Sequence, residues 1–386
     1  MNEILIIGAG YTGMAATMGL AGRVKGREDV HVTLVNPQSR FIERLRLHQT
    51  ASGQKLAELE IADLLAGTGV EFVRGWVTAI DADARTVRID DERTLRYDTL
   101  VYALGSVADT EVVPGVDEFA YTLNSAHDAA LLAGQLDRLT EGTIVVAGGG
   151  LTGIESAAEI AEQHPEVDVV LLSRQLPGSM MCAKARARLQ TGLARLGVQV
   201  RAGAESVKVM SDGVALADGQ VVPAQAVLWT TGVRVSPMAA AAGLRVDERG
   251  RIITDASLRS VSHPNVYAIG DAAAVRQGYG VMHGTCQSGI PTAVHAAASI
   301  VRELKGKAPR KFRFGYIHQP VSLGRNDAVI QFTGSDDTPA RFYLAGRFAV
   351  AYKETVSSSP WTTYRLLKVM PAVGAAMWRR GGRSTR

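Results

Sequence analysis

Cysteine is scarce in this chain. There are two in 386 residues, Cys182 and Cys286, far apart and outside any C-x-x-C. That argues against a disulfide scaffold, a zinc site and a dithiol active site, and makes a reducing cytoplasm the default compartment. Metal ligands are missing as well. His283, His295 and His318 have no ligand spacing and read as packed or surface histidines. No apolar run reaches the roughly 18 residues that a membrane-spanning helix needs. An apolar stretch opens as early as residue 3, so no signal or transit peptide is expected. Charge excess is small too. The net charge is +4, yet residues 353–386 hold seven Lys/Arg against one acid, Glu354, which leaves the rest near −2. The basic character belongs to the tail, which argues against a nucleic-acid-binding body and points to a local basic patch.

Glycine, in contrast, is abundant at 40 residues, above the roughly 7% average. Much of it is organised. Residues 3–7 are apolar and β-branched, then come Gly8-Ala9-Gly10-Tyr11-Thr12-Gly13, a small-residue helix and a second apolar strand over 30–35. This is the order of a dinucleotide-binding βαβ unit. One glycine makes the tight turn, one lets backbone approach a pyrophosphate, and one lets helix pack on strand. The free N–H groups of the helix start would face the phosphates.

The same order occurs again, with a strand over 143–147, Gly148-Gly149-Gly150-Leu151-Thr152-Gly153, a helix over 154–162 and a strand over 167–172. The segments after the two copies also resemble one another. After the first come a short helix over 57–65, a meander of strands over 70–72, 77–81 and 86–90, and a strand over 98–104 that ends on Gly105. After the second come short strands over 198–201, 206–210, 214–216 and 221–222, then a strand over 226–229 that runs into Gly232. A period of roughly 130–140 residues signals duplicated domains, not solenoid units. Two dinucleotide units in one chain suit a protein that holds two dinucleotides face to face. The first unit then resumes, with strands over 250–255 and 265–269, the pair Gly270-Asp271, and a helix over 288–304. Residues 312–356 read as strand-rich and residues from 360 onward as a basic helix.

Gly8–Gly13, Leu104-Gly105, Gly148–Gly153 with Glu155, Thr231-Gly232 and Ala268-Ile269-Gly270-Asp271-Ala272 stand in fixed order over residues 1–305. In this the chain resembles the pyridine nucleotide–flavin oxidoreductases. It looks most like the type II NADH dehydrogenases and the apoptosis-inducing-factor-like quinone reductases. The resemblance implies an α/β fold with two Rossmann-like domains of three-layer ββα type, plus a small strand-rich C-terminal region with a terminal helix. An FAD domain would span 1–110 and 245–305, an NAD(P)H domain 111–244, and the C-terminal region 306–386.

It further implies that Gly8, Gly10, Tyr11, Thr12 and Gly13, with Gly105 and Gly270, hold FAD. Asp271 would bond the ribityl chain or pyrophosphate; taken alone it also reads as a helix cap. Gly148, Gly150, Leu151, Thr152 and Gly153, with Gly232, would hold NADH or NADPH. Glu155 would sit near the nicotinamide, positioning it or relaying a proton; the other reading is a first-turn glutamate favoured by the helix dipole.

Several positions depart from the pattern. Asn36 stands where the first unit usually has an acid on the ribose, though an amide can still bond a hydroxyl. Ser173-Arg174 ends the matching strand of the second unit, so no acid repels a 2′-phosphate and Arg174 can bind one, which favours NADPH at least as much as NADH. The glutamine pair that lines the quinone site in type II dehydrogenases is here Gln287 and Pro291, and Gln287 is the retained catalytic candidate. Arg40, Arg44, Arg46 and His48 come after the first unit. The family places this segment, and Arg44 in it, beside the flavin, where a cation stabilises the reduced ring; a solvated basic face is the alternative. Cys182, beside Met180 and Met181 in an expected mobile loop, is assigned no chemistry.

The expected activity is hydride transfer from NAD(P)H to FAD, then delivery of two electrons to a quinone-like acceptor. A reductase of a ferredoxin or small redox metabolite, and an apoptosis-inducing-factor-like redox-sensing binder, are the alternatives. Residues 361–380 combine aromatics, an apolar middle and basic residues, which suits either peripheral contact with an anionic membrane or docking on the body. A cytoplasmic monomer or homodimer, with or without that contact, is expected.

Overall fold

The computed structural model of this chain describes residues 1–372. Its first sheet is parallel and five-stranded, in the order Val266–Ala268, Thr99–Tyr102, Asn2–Ile7, Val30–Asn36, Glu71–Arg74. The central strand is buried on both faces at Ile4, Leu5, Ile6 and Ile7. A parallel strand covered by helices on either side requires that unbroken apolar run. The helices Tyr11–Val24 and Cys286–Glu303 pack on one another through small residues, with Gly19 against Ala297. Strands Val77–Asp81, Thr86–Ile89 and Arg93–Arg96 form an antiparallel meander.

The second unit repeats the plan. Its parallel sheet runs Gln199–Ala202, Asp168–Ser173, Thr143–Ala147, Ala226–Trp229, and its meander is Ser206–Met210, Gly213–Leu216 and Val221–Pro223. The two Rossmann-like units are tied together where the chain crosses between them. The crossings Val107–Ala108 and Val233–Arg234 pair antiparallel, Val107 opposite Arg234. Each comes after a glycine with positive φ, Gly105 (+64°) and Gly232 (+72°). The return crossing brings Val266–Ala268 back beside Thr99–Tyr102 of the first sheet.

Four local expectations need correction. Residues 70–72 and 198–201 do not belong to the meanders. They lie in strands Glu71–Arg74 and Gln199–Ala202, which pair parallel at the edges of the two main sheets. Short apolar runs look alike in both settings, and only the partner strand decides between them. Residues 57–65 are not one helix, because Leu59–Glu60 pairs with Arg40–Phe41 and the helix starts at Ile61. The helix after Asp271 begins earlier than residue 288. Thr285 and Ser288 form a reciprocal capping box that starts it at Cys286, so Pro291 lies in the second turn and not the first.

The C-terminal region is a three-stranded antiparallel sheet, His318–Ser322, Ala328–Thr333 and Pro339–Ala345, followed by one helix, Arg347–Val369. The helix starts well before the expected 360 and carries Pro360 inside it. Its first turns are rich in Phe, Val and Tyr, which favour strand locally; packing of Ala349 into the sheet imposes the helix.

Most of the apolar stripe on that helix is turned to the body. Tyr364 and Leu367 are buried, Trp361 and Tyr364 pack on Phe41, and Tyr364 Oη–H donates to the Tyr11 carbonyl at 3.0 Å. Gly22 permits the close approach, since a Cβ there would stand 2.5 Å from the Leu367 carbonyl oxygen. Residues 361–369 therefore dock on the first unit, while Trp378, Arg379 and Arg380 lie outside the described residues. No described helix is long and apolar enough to cross a membrane.

Leu367→Ala should lower the unfolding free energy by about 2–4 kcal/mol in a denaturant titration, the cost of a cavity at a fully buried leucine. A loss below about 0.5 kcal/mol, as for an exposed position, would show that the helix does not dock there.

Candidate functional site

The two glycine turns are built alike. Gly8 has φ +94°, and a Cβ on it would stand 2.6 Å from the Ala103 carbonyl oxygen; a Cβ on Gly13 would overlap the Gly8 carbonyl. In the second turn Gly148 has φ +126°, and a Cβ on it would stand 2.6 Å from the Thr230 hydroxyl; a Cβ on Gly153 would overlap the Gly148 carbonyl. The middle glycines, Gly10 and Gly150, have nothing within 4 Å of the Cβ position. So the outer glycines serve the fold and the middle ones leave backbone open to a ligand. Gly10 and Gly150 cap the helices Tyr11–Val24 and Leu151–Gln163 with no side-chain hydrogen bond and no first-turn acid. Those helix starts keep free N–H groups and a positive dipole end, which fits a pyrophosphate at each.

Around the first turn the residues converge. Asp271 accepts from Ser106 Oγ–H at 2.8 Å, and Arg44 donates to the Ser106 carbonyl. Gly270 crowds the Thr12 side chain, and its N–H donates to Thr292 Oγ1 at 3.1 Å. Gly105 lies one residue before Ser106. Arg44, Gly105, Ser106, Gly270 and Asp271 thus gather beside Tyr11–Gly13. Asn36 turns its amide inward, where its Oδ1 accepts from Ala9 N–H at 2.9 Å. It braces the glycine turn, and its Nδ2 donates to the Gln38 carbonyl.

The four basic residues after the first unit separate. Arg40 pairs on the surface with Glu58 and Glu60. Arg46 pairs with Glu354 at 2.9 Å. His48 is buried, and burial pushes its pKa down to about 4 against the pull of Glu155. Only Arg44 remains beside Asp271. A solvated basic helix face is not what forms.

Glu155 is buried on the first turns of helix Leu151–Gln163. It accepts from Lys353 Nζ, from Ser322 N–H at 2.9 Å and from Ser322 Oγ–H at 3.2 Å. Burial by itself would raise its pKa; the Lys353 ammonium and the Ser322 bond outweigh this and hold the carboxyl below the usual range. Lys353, legible in the sequence only as tail charge, is a site residue that sequence reasoning misses. Its signal is not local, because 198 positions separate it from Glu155.

Gln287 is not free to meet a substrate. Its Nε2 donates to the His318 carbonyl at 2.8 Å, and its Oε1 accepts from Ile317 N–H at 2.5 Å. Both ends of the amide bond the backbone where the strand His318–Ser322 begins. His318 itself bonds Tyr352 Oη through Nδ1 at 2.6 Å. His283 stacks on Tyr316, and His295 bonds the Arg310 carbonyl. In the second unit Arg174 is exposed at the end of strand Asp168–Ser173. Cys182 caps helix Ala183–Arg195, with its N–H held by Gln331 Oε1, and Met181 is buried. Both cysteines are free, and the described residues contain no cluster able to hold a metal ion.

The comparisons with known proteins agree with this construction. The chain is 30% identical over 356 residues to an NADH dehydrogenase-like protein of Mycobacterium tuberculosis, covering 85% of this chain and 87% of that one. It is 27% identical over 374 residues to a demethylphylloquinone reductase of Synechocystis, covering 91% and 92%. Its fold matches the sulfide:quinone oxidoreductase of Aquifex aeolicus with a TM-score of 0.83 at 18% identity, over 98% and 95% of the two chains. It also matches NDH2 from Plasmodium falciparum, solved in complex with NADH, with a TM-score of 0.79 at 14% identity, over 98% and 99%. The sequence model for pyridine nucleotide-disulphide oxidoreductases, whose members use FAD and NAD(P)H, matches residues 2–299, with both glycine turns inside the match, and the chain belongs to that family.

Proposed function

We propose that this protein is an FAD-dependent NAD(P)H oxidoreductase that reduces a quinone-type acceptor. The observation that carries the reading is the pair of open middle glycines, Gly10 and Gly150. Each sits at a bare helix start on its own parallel sheet, and the two sheets are joined through the paired crossings after Gly105 and Gly232. The names borne by the relatives supply the acceptor class. The family's disulfide chemistry is set aside, since the two cysteines are free.

In this reading FAD rests on Gly8, Gly10, Tyr11, Thr12, Gly13, Gly105, Gly270 and Asp271, with Arg44 supplying positive charge beside them. Asn36 acts through the turn backbone. NAD(P)H rests on Gly148, Gly150, Leu151, Thr152, Gly153 and Gly232. When bound, FAD supplies the chemistry, accepting a hydride from the nicotinamide and releasing two electrons to the acceptor. The protein's share is placement. Glu155, kept ionised by Lys353, fixes the start of the nicotinamide helix against the C-terminal sheet through Ser322. Arg174 faces solvent where a 2′-phosphate of NADPH would lie.

Mixed anaerobically with NADPH or NADH, the purified yellow protein should lose its visible flavin absorption and recover it when a short-chain quinone is added. Turnover should exceed roughly 1 s⁻¹. Bleaching without recovery would remove the quinone and leave the flavoprotein, opening the search to ferredoxins. A colourless protein that releases no flavin on denaturation would end the reading.

Arg174→Ala should lower the ratio of kcat/KM for NADPH over NADH by roughly tenfold, the loss of one charge-assisted contact. An unchanged ratio would make Arg174 a surface residue only.

Lys353→Met leaves a buried carboxylate unpaired, and should cost about 3–5 kcal/mol near neutral pH. In the native protein the Glu155 carboxyl lies below its unfolded value. Its contribution is therefore complete above the normal carboxylate range and lost as pH falls. In the variant the sign reverses, because a raised Glu155 makes stability recover toward acid pH. In thermal melts from pH 5 to pH 8 this group should leave the wild type level, its loss falling below that window, while the variant gains stability as pH falls; parallel curves would exclude the pair as a stabilising contact.

A further inference from the structure

The clamp made by Gln287 raises a question: what does it hold in place? Its two bonds grip the backbone at Ile317 and His318, so the side chain it orients is His318. That imidazole is half-buried. Its Nδ1 lies 2.6 Å from Tyr352 Oη, with the rings edge to face at 5.4 Å. Among the described residues, His318 Nε2 has no hydrogen-bond partner. The pair stands between the two dinucleotide units. Gln287 lies in the first turn of the helix that comes after Asp271, and Tyr352 immediately precedes Lys353, which grips Glu155 on the nicotinamide helix.

The contact admits either neutral tautomer, because a tyrosine hydroxyl can donate to an unprotonated Nδ1 or accept from Nδ1–H. Where Tyr352 donates, Nδ1 is the acceptor and the ring proton resides on Nε2. Burial and the neighbouring Lys353 ammonium push the His318 pKa down to about 4, with Asp337 pulling the other way. The ring is therefore neutral at physiological pH, a donor with no charge. Aromatic side chains stand beside it. Phe332 meets Tyr352 edge to face at 5.8 Å and stacks on Phe342 at 5.1 Å, and Phe342 is 60% exposed. An unpartnered, neutral N–H next to aromatic surface suits a flat carbonyl compound with an apolar substituent.

We propose that His318 is the acceptor-recognition residue, with its Nε2–H donating a hydrogen bond to a carbonyl oxygen of the quinone-type acceptor. Tyr352 fixes the tautomer and Gln287 fixes the position. The assignment rests on the quinone reading given above. It also accounts for the departure at Pro291, where the second glutamine of the type II pattern is missing. The donor that position would carry is provided here from the C-terminal sheet.

Two measurements test it on the oxidised, FAD-loaded protein. In the first, equilibrium dialysis against a short-chain benzoquinone without NAD(P)H compares wild type, His318→Phe and His318→Gln. His318→Phe should weaken binding roughly tenfold, the value of one hydrogen bond to a desolvated site. His318→Gln, which restores an N–H donor, should recover part of it. Single-turnover bleaching by NAD(P)H should stay unchanged in both, and KM for quinone should rise with kcat little altered.

In the second, ¹H–¹⁵N spectra of the imidazole ring should report the Nε2–H tautomer in the wild type and a mixture in Tyr352→Phe. If His318→Phe binds the benzoquinone as tightly as wild type, or if Nδ1–H dominates in the wild type, the assignment is wrong while the reductase reading stands. If the wild type neither binds the benzoquinone nor is reoxidised by it, the quinone reading fails and takes this assignment with it.

Discussion

A carboxylate cannot stay ionised in a protein interior without partners, and Glu155 is the point where this constraint organises the molecule. It lies on the nicotinamide helix, out of water. Its partners come from outside that unit: Lys353 from the terminal helix and Ser322 from the C-terminal sheet. Satisfying one buried charge therefore brings three parts of the chain to one place. Neighbouring charges extend the arrangement. Glu354 reaches Arg46 and Arg325, and Asp327, itself buried, collects Arg188 and Arg195. The C-terminal region is thereby attached to both dinucleotide units.

The terminal helix carries out this attachment along its length. Tyr352 faces His318, Lys353 faces Glu155, Glu354 faces Arg46, and Tyr364 bonds the carbonyl of Tyr11 at the first glycine turn. A single rigid element touches the start of each nucleotide helix. That is an efficient way to hold two dinucleotides in register, because a rotation of one unit against the other has to break contacts with the same helix. It also explains why the apolar stripe near Tyr364 and Leu367 faces inward, although its composition suits a membrane surface equally well. Composition sets how apolar a stripe is, and the surface it meets is set elsewhere.

The two nucleotide turns could be read from sequence because their requirements are local. Gly8, Gly13, Gly148 and Gly153 are demanded by backbone that passes within a few residues of itself or beside the adjacent strand, so any chain making this turn must have them. The parallel strands could be read for a similar reason, since burial on both faces writes an unbroken apolar run. Gln287 and Arg44 stand out in the sequence through family likeness, and their partners give them different meanings. Gln287 spends its whole amide on backbone, whereas Arg44 turns to Ser106 beside Asp271.

By itself, then, the sequence determined the duplicated βαβ plan, the glycine geometry at both helix starts and the family. All of these depend on residues close together in the chain or on composition. Only the tertiary structure decided that Lys353 neutralises Glu155, that His318 and Tyr352 form a pair, and that the edge strands Glu71–Arg74 and Gln199–Ala202 belong to the parallel sheets. The physical reason is common to all three. A buried charge, a side-chain pair and a strand pairing are each set by the partner that arrives from a distant part of the chain, and no local pattern encodes that partner.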